Sequence, residues 1–239
     1  MTADSYAVSI RLLGRFAVGV GGRALGNAAP WGSRKAQHLV KLLALAPGHH
    51  LTVEQLLETL WPALEPAAAR RAYYQTLYLA RRALDPERLG LLSARQQGLA
   101  LSAPGGVTVD LDAFRDAANR ARTRGTIAGC EAALALYTGE LLPNDRYEDW
   151  AIVPRDEAQR LVTALLRELA RLHAARRDWD AACTRLEELV AREPTDEEAH
   201  AALMRAHAAA GRRGRALAQF RGYCQLKSNW QGCWGTRAC

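Results

Sequence analysis

Residues 66–84, PAAARRAYYQTLYLARRAL, hold the pattern on which the fold turns. Proline suits the first position of a helix, and behind it Tyr73, Leu77, Ala80 and Leu84 recur at the spacing of one helical face. The opposite face carries Arg70, Arg71, Tyr74, Gln75, Tyr78, Arg81 and Arg82, and no Asp or Glu occurs between Ala67 and Leu84. A solvated helix face ordinarily mixes signs, because like charges one turn apart repel by about 0.2–0.5 kcal/mol per pair. An unneutralised ridge of this kind points to a polyanion outside the fold. Gln and Arg suit base edges in the major groove, and Tyr74 and Tyr78 suit phosphates and sugars.

Two shorter helices precede this one. Ser33 is an N-cap for the stripe Ala36, Leu39, Leu42, Leu43 and Ala46, which Pro47-Gly48 stops. Thr52 and Gln55 have capping-box spacing ahead of Val53, Leu56, Leu57 and Leu60, and Trp61-Pro62 ends that run. After Asp85-Pro86, residues Leu91 to Ala94 and Leu99 to Leu101 flank Arg95-Gln96-Gln97-Gly98 and read as a hairpin. At the other end, Val8, Ile10 and Leu12, then Phe16, Val18 and Val20, read as short strands ending in a Gly21-Gly22 turn. No helix follows that turn and no Lys-Ser/Thr closes it, so it is not a phosphate loop. Strands, three helices and a hairpin are the order of a winged helix-turn-helix domain, with residues 66–84 as the recognition helix and Arg95 and Gln96 at the wing tip, against the neighbouring backbone or minor groove.

The charge agrees. The 239 residues carry a net +7, but up to Gly105 there are 12 Lys and Arg against 6 Asp and Glu, and beyond it 20 against 19. The positive field is local to the N-terminal part, where it speeds encounter with a polyanion. With 49% hydrophobic residues the chain is globular and of one- to two-domain size. Five cysteines without paired spacing exclude a disulfide scaffold and suit a reducing compartment. No apolar run is long enough to span a membrane and no signal pattern opens the chain, which predicts a cytoplasmic, nucleoid-associated protein without a membrane partner.

Beyond Gly105 the pattern is helical, with helices predicted near 110–123, 127–138, 154–175, 178–192, 196–210 and 212–227. An offset of 34 residues lays Leu169 on Leu203, Ala175 on Ala209, Ala182 on Ala216 and Leu186 on Phe220, and 34 is the tetratricopeptide period. The predicted fold class is mainly α. It comprises an N-terminal winged helix-turn-helix of short strands, three helices and a wing hairpin (1–105), an all-α tetratricopeptide-like domain (106–227) and an atypical tail (228–239).

Nothing in the pattern supports catalysis. Cys224, Cys233 and Cys239 are spaced by nine and six residues, which matches no common zinc site, and His173 and His207 share one repeat position, as packing residues do. His49-His50 falls in a turn, and there is no nucleophile elbow, P-loop or Ser/His/Asp order. The reading is a non-enzyme with no catalytic residues, no metal site and no cofactor.

Several strings, in order, resemble the antibiotic-regulatory transcriptional activators of actinobacteria, which join an OmpR-type winged helix to a bacterial transcriptional activation domain. They are Arg11-Leu12-Leu13-Gly14-Arg15-Phe16, Ser33-Arg34-Lys35-Ala36, Leu60-Trp61-Pro62 and Arg81-Arg82-Ala83-Leu84. In the second half they are Val109-Asp110-Leu111-Asp112-Ala113-Phe114, Ala133 to Pro143, Asp149-Trp150 and Asp196 to His200. The resemblance implies binding to direct repeats in double-stranded promoter DNA, usually as a homodimer, and recruitment of RNA polymerase through its sigma factor. It implies Arg71, Tyr74, Gln75, Tyr78 and Arg82 as readers, and a polymerase-facing loop with Trp61, Pro62 and Glu65. Tyr73 and Ala80 stand where the family more often has leucine, which favours phosphate over base contacts. The tail departs from the family pattern and reads as frameshifted or disordered. An alternative function also fits: a tetratricopeptide-like protein–protein adaptor that binds a protein segment in its concave groove, its basic N-terminal domain serving as another protein-binding surface and not reading DNA. On the plainest reading of the helix, its arginines pair with acids of the second domain.

Overall fold

The computed structural model describes residues 7–26, 31–95 and 97–234. Strands β1 (Val8–Arg11), β2 (Ala17–Val20) and β3 (Arg23–Gly26) form an antiparallel meander. Gly21 and Gly22, at φ +53° and +83°, make the two-residue turn between β2 and β3, a conformation that glycine adopts without a Cβ clash. The sequence reading ended its strands at this turn, so β3 is an addition.

Helix α1 (Arg34–Leu45) starts where predicted, with the Ser33 hydroxyl accepting from the Ala36 N–H at 3.1 Å. A short 3-10 turn (Pro47–His49) leads to strand β4 (His50–Thr52), which the sequence reading lacked. Helix α2 (Val53–Leu60) carries the capping box, Gln55 N–H to Thr52 Oγ1 at 3.1 Å and Thr52 N–H to Gln55 Oε1 at 2.9 Å. Helix α3 (Pro66–Leu84) follows, then β5 (Leu92–Arg95) and β6 (Gly98–Leu101). The wing is three-stranded, in the order β4-β6-β5, rather than a bare hairpin. Strand β7 (Val107–Val109) lies parallel to β1 and makes the first sheet four-stranded, β3-β2-β1-β7.

The remaining elements are α4 (Asp110–Arg124), α5 (Ile127–Leu136), a 3-10 turn (Pro143–Asp145), α6 (Asp149–Ala175), α7 (Trp179–Arg192), α8 (Glu197–Ala209) and α9 (Arg213–Trp234). Helix α6 begins five residues before the predicted start at Pro154, which lies inside it. Helix α9 runs through Ser228 to Trp234, so that part of the expected tail is helical, and 235–239 lie outside the described residues. No helix among the described residues is long and apolar enough to cross a membrane.

The chain divides into two compact units, Met1–Ala113 with Tyr137–Ala158, and Phe114–Leu136 with Gln159–Cys239. A cut at Gly105 therefore misses that residues 137–158 belong with the winged helix. Two kinds of contact hold them there. Thr138 Oγ1 donates to Leu13 O at 3.1 Å, Leu142 N–H to Leu12 O at 2.9 Å, and Leu13 bridges to Leu141. Within the segment itself, the buried Arg155 guanidinium donates to the carbonyls of Leu141 and Leu142. Lys41 and His38, buried on α1, converge on the buried carboxylate of Asp145, Lys41 Nζ at 2.7 Å and His38 Nε2 at 3.2 Å.

Burial of charge is costly unless it is paired and hydrogen-bonded, and here the cost falls unequally. Burial lowers the Lys41 pKa despite its bond to Asp145. Burial would raise Asp145, but hydrogen bonds from His38 and Lys41 and the Lys41 charge hold it below the usual carboxylate range. The two shifts have opposite consequences for the pair. Two donors on one carboxylate decide in favour of the ionised form. Lys41 also sits 4.6 Å from the centre of the Phe16 ring, and Trp150 packs edge-on against His38 at 5.2 Å.

In the second unit α6–α7 and α8–α9 form the two repeats. Leu169, Leu203 and Ala182 are buried, as the 34-residue register requires, whereas Ala216 is half-buried and Ala175 and Ala209 are exposed. The register weakens at its end, where Leu186 is 5% exposed but its equivalent Phe220 is 53% exposed.

Candidate nucleic-acid interface

Helix α3 splits into the two faces that its sequence predicts. Tyr73, Leu77, Ala80 and Leu84 are all buried, joined by Ala69, Thr76 and Ala83. Arg70, Arg71, Tyr74, Gln75, Tyr78, Arg81 and Arg82 are exposed, with Tyr74 at 66% and Tyr78 at 62%. An exposed tyrosine ring amid arginines covers little core, so its apolar body and hydroxyl are open to a partner. Burial pushes the Tyr73 phenol above its usual range, and its ring meets Tyr74 edge-on at 5.3 Å.

The ridge is held at its C-terminal end. Arg23 donates to the carbonyls of Ala83 and Leu84, each at 3.1 Å, satisfying acceptors that the last helical turn leaves open. Beyond it the buried Asp85 carboxylate accepts the N–H groups of Leu89 (2.6 Å), Gly90 (2.8 Å) and Leu91 (3.0 Å), which turns the chain into the wing. Arg81 fixes the wing to the helix, donating from Nε (3.1 Å) and Nη2 (2.8 Å) to Leu92 O. Its guanidinium is thus partly committed within the fold, whereas Arg70, Arg71, Arg82 and Arg95 make no ion pair among the described residues.

At the wing, Arg95 is exposed and its carbonyl lies 2.9 Å from His50 Nε2. Gln96 lies outside the described residues. Gly98 is packed so tightly between β5 and β4 that a Cβ there would sit 2.3 Å from Leu51 O. Between helix and wing a hollow of about 700 Å³ is lined by Tyr78, Arg82, Arg88 and Ser93. Arg88 and Arg23 lie outside the sequence pattern of the ridge and join the site only in the fold. Arg88 stands in the Asp85-Pro86-Glu87-Arg88 turn directly after the basic helix, and that adjacency was the available signal.

The α2–α3 loop places Trp61 half-buried as the C-cap of α2, with Pro62, Leu64 and Glu65 exposed. Trp61, Pro62 and Leu64 border a second hollow of about 400 Å³, lined also by Glu54, Glu58 and, from the ridge, Arg70, so the loop side of this hollow is acidic and apolar.

The family model described as Bacterial transcriptional activator domain matches residues 109–229. No curated protein matches the chain. Among solved structures, Mycobacterium tuberculosis EmbR in complex with low affinity phosphopeptide is similar in fold, with a TM-score of 0.70 and 21% identity over 93% of this chain. The chain spans 60% of the length of that protein.

Proposed function

We propose, from the premise that the chain belongs to the bacterial transcriptional activator domain family, that it is a sequence-specific activator. In this reading it binds repeats in promoter DNA through α3 and its wing and recruits RNA polymerase and its sigma factor. The observation that carries the proposal is the α3 ridge, with Arg70, Arg71 and Arg82 exposed, no ion pair among the described residues, and two exposed tyrosines between them. Exposed cations without internal partners break no ion pair of the fold when they meet phosphate, and each neutralised phosphate releases condensed counterions. Gln75 and the arginines are the candidates for base edges, and Arg88 and Arg95 for the flanking backbone.

Arg81 enters the proposal as a positioning residue, since its bonds to Leu92 O set the wing against the helix. The acidic and apolar loop at Trp61, Pro62 and Glu65 is the proposed polymerase-facing surface, and dimerisation on repeated sites completes the scheme. The test uses the full chain in mobility-shift titrations against duplexes selected from a random pool. Arg71→Ala with Arg82→Ala should weaken binding and reduce the salt slope by about one unit per lost phosphate contact. A parent and double variant with the same affinity and slope would remove the ridge from the mechanism.

A further inference from the structure

The second unit holds a groove of about 750 Å³ that the DNA reading does not use. Its floor is a run of methyl groups, with Ala164 and Ala174 on α6 facing Ala199, Ala202, Ala206 and Ala209 on α8. The α8 alanines follow one another at i, i+3, i+7 and i+10, so they form a single stripe about 15 Å long at 1.5 Å per residue. Trp179 and Leu186 add apolar surface from α7.

Its polar groups are mostly cationic. Arg167 is engaged by Asp196 (2.6 Å) and Glu198 (2.8 Å), and Arg171 by Glu168 (2.7 Å). Arg122 and Arg205 also line the groove, are exposed, and make no ion pair or side-chain hydrogen bond among the described residues. Two cations therefore remain without internal partners beside an apolar trough.

We propose that this groove docks an acidic amphipathic helix of a partner protein, about three turns long. Its apolar face would lie on the alanine floor and against Trp179, and its carboxylates would meet Arg122 and Arg205. The floor's length matches three helical turns, and its small side chains let a helix approach closely, as in helix-in-groove recognition. A small-molecule site would instead converge a few polar groups from its walls on one point, and methyl groups supply none. Charge complementarity selects an acidic helix over a basic one. This proposal stands independently of DNA binding.

The experiment is fluorescence anisotropy on the full chain. The probe is a labelled 14-residue helix of Leu, Ala and Glu, with leucines on one face and glutamates flanking them, and its twin has Lys for Glu. The acidic probe should bind saturably and the basic twin should not. Arg122→Ala with Arg205→Ala, both exposed changes, should weaken the acidic probe on the order of tenfold with thermal unfolding unchanged. Arg71→Ala with Arg82→Ala should leave probe binding intact, which separates this site from the α3 ridge. Ala202→Leu, which fills the floor, should also abolish binding. Absence of saturable binding, equal affinity for both probes, or loss only on changing Arg71 and Arg82 would overturn the proposal, as would displacement of the probe by millimolar citrate, a small anion.

Discussion

Asp145→Asn tests whether a buried charge pair holds residues 137–158 against the winged helix. The substitution keeps the side chain's size and removes one charge. In the parent protein the 3% exposed carboxylate receives Lys41 Nζ at 2.7 Å and His38 Nε2 at 3.2 Å. Asparagine leaves the Lys41 ammonium, 2% exposed, beside a neutral amide. Removing one partner of a buried pair costs about 3–5 kcal/mol, because the other charge stays desolvated. For a chain of this size that lowers the melting temperature by roughly 6–20 °C.

Lys41→Met with Asp145→Leu removes both charges and should recover most of the loss, since apolar replacement of a complete pair is often neutral. The pH dependence has a definite sign. Asp145 is held below the usual carboxylate range, so its contribution is complete above the unfolded carboxyl value of about 3.9 and fades as pH falls from there through the lower folded value. The gap between parent and Asp145→Asn should therefore be full at neutral pH and close in acid. Urea denaturation followed by circular dichroism at a series of pH values measures it. A variant within about 1 kcal/mol of the parent at neutral pH, well below the range for a broken buried pair, would refute the reasoning.

Two further predictions concern single positions. Gly98→Ala drives a Cβ to 2.3 Å from Leu51 O and 2.6 Å from His50 Nε2, where backbone must move, so it should destabilise the wing by about 1–3 kcal/mol. Duplex affinity should fall with it, and a mobility-shift assay on a variant of parental stability would show the contact to be relieved. Leu186→Ala should cost about 2–5 kcal/mol by thermal denaturation, while the register-equivalent Phe220→Ala, 53% exposed, should cost under about 1 kcal/mol; equal losses would contradict the weakened second repeat.

Much of the winged helix was legible because its signals are local. Ser33 and the Thr52/Gln55 box announce helix starts within four residues, and the Tyr73, Leu77, Ala80, Leu84 stripe separates the inner face of α3 from its cationic outer face. Strands β4 and β7 were not legible. Each is three residues long, and each exists through partners far along the chain, His50–Thr52 on β6 and Val107–Val109 on β1. Arg81 read as one cation among equals, and only its approach to Leu92 O gives it a different role.

The sequence by itself determined the order of elements, the segregation of positive charge onto one helix face and the 34-residue repeat, all of which depend on spacing within a few turns or on composition. Tertiary structure alone decided that His38 and Lys41 belong inside. A histidine and a lysine on a helix are read as solvent-facing, since a lone charge in the core is prohibitively costly. The compensating carboxylate, Asp145, lies 104 residues further on. Only folding brings it within 2.7 Å and makes that burial tolerable.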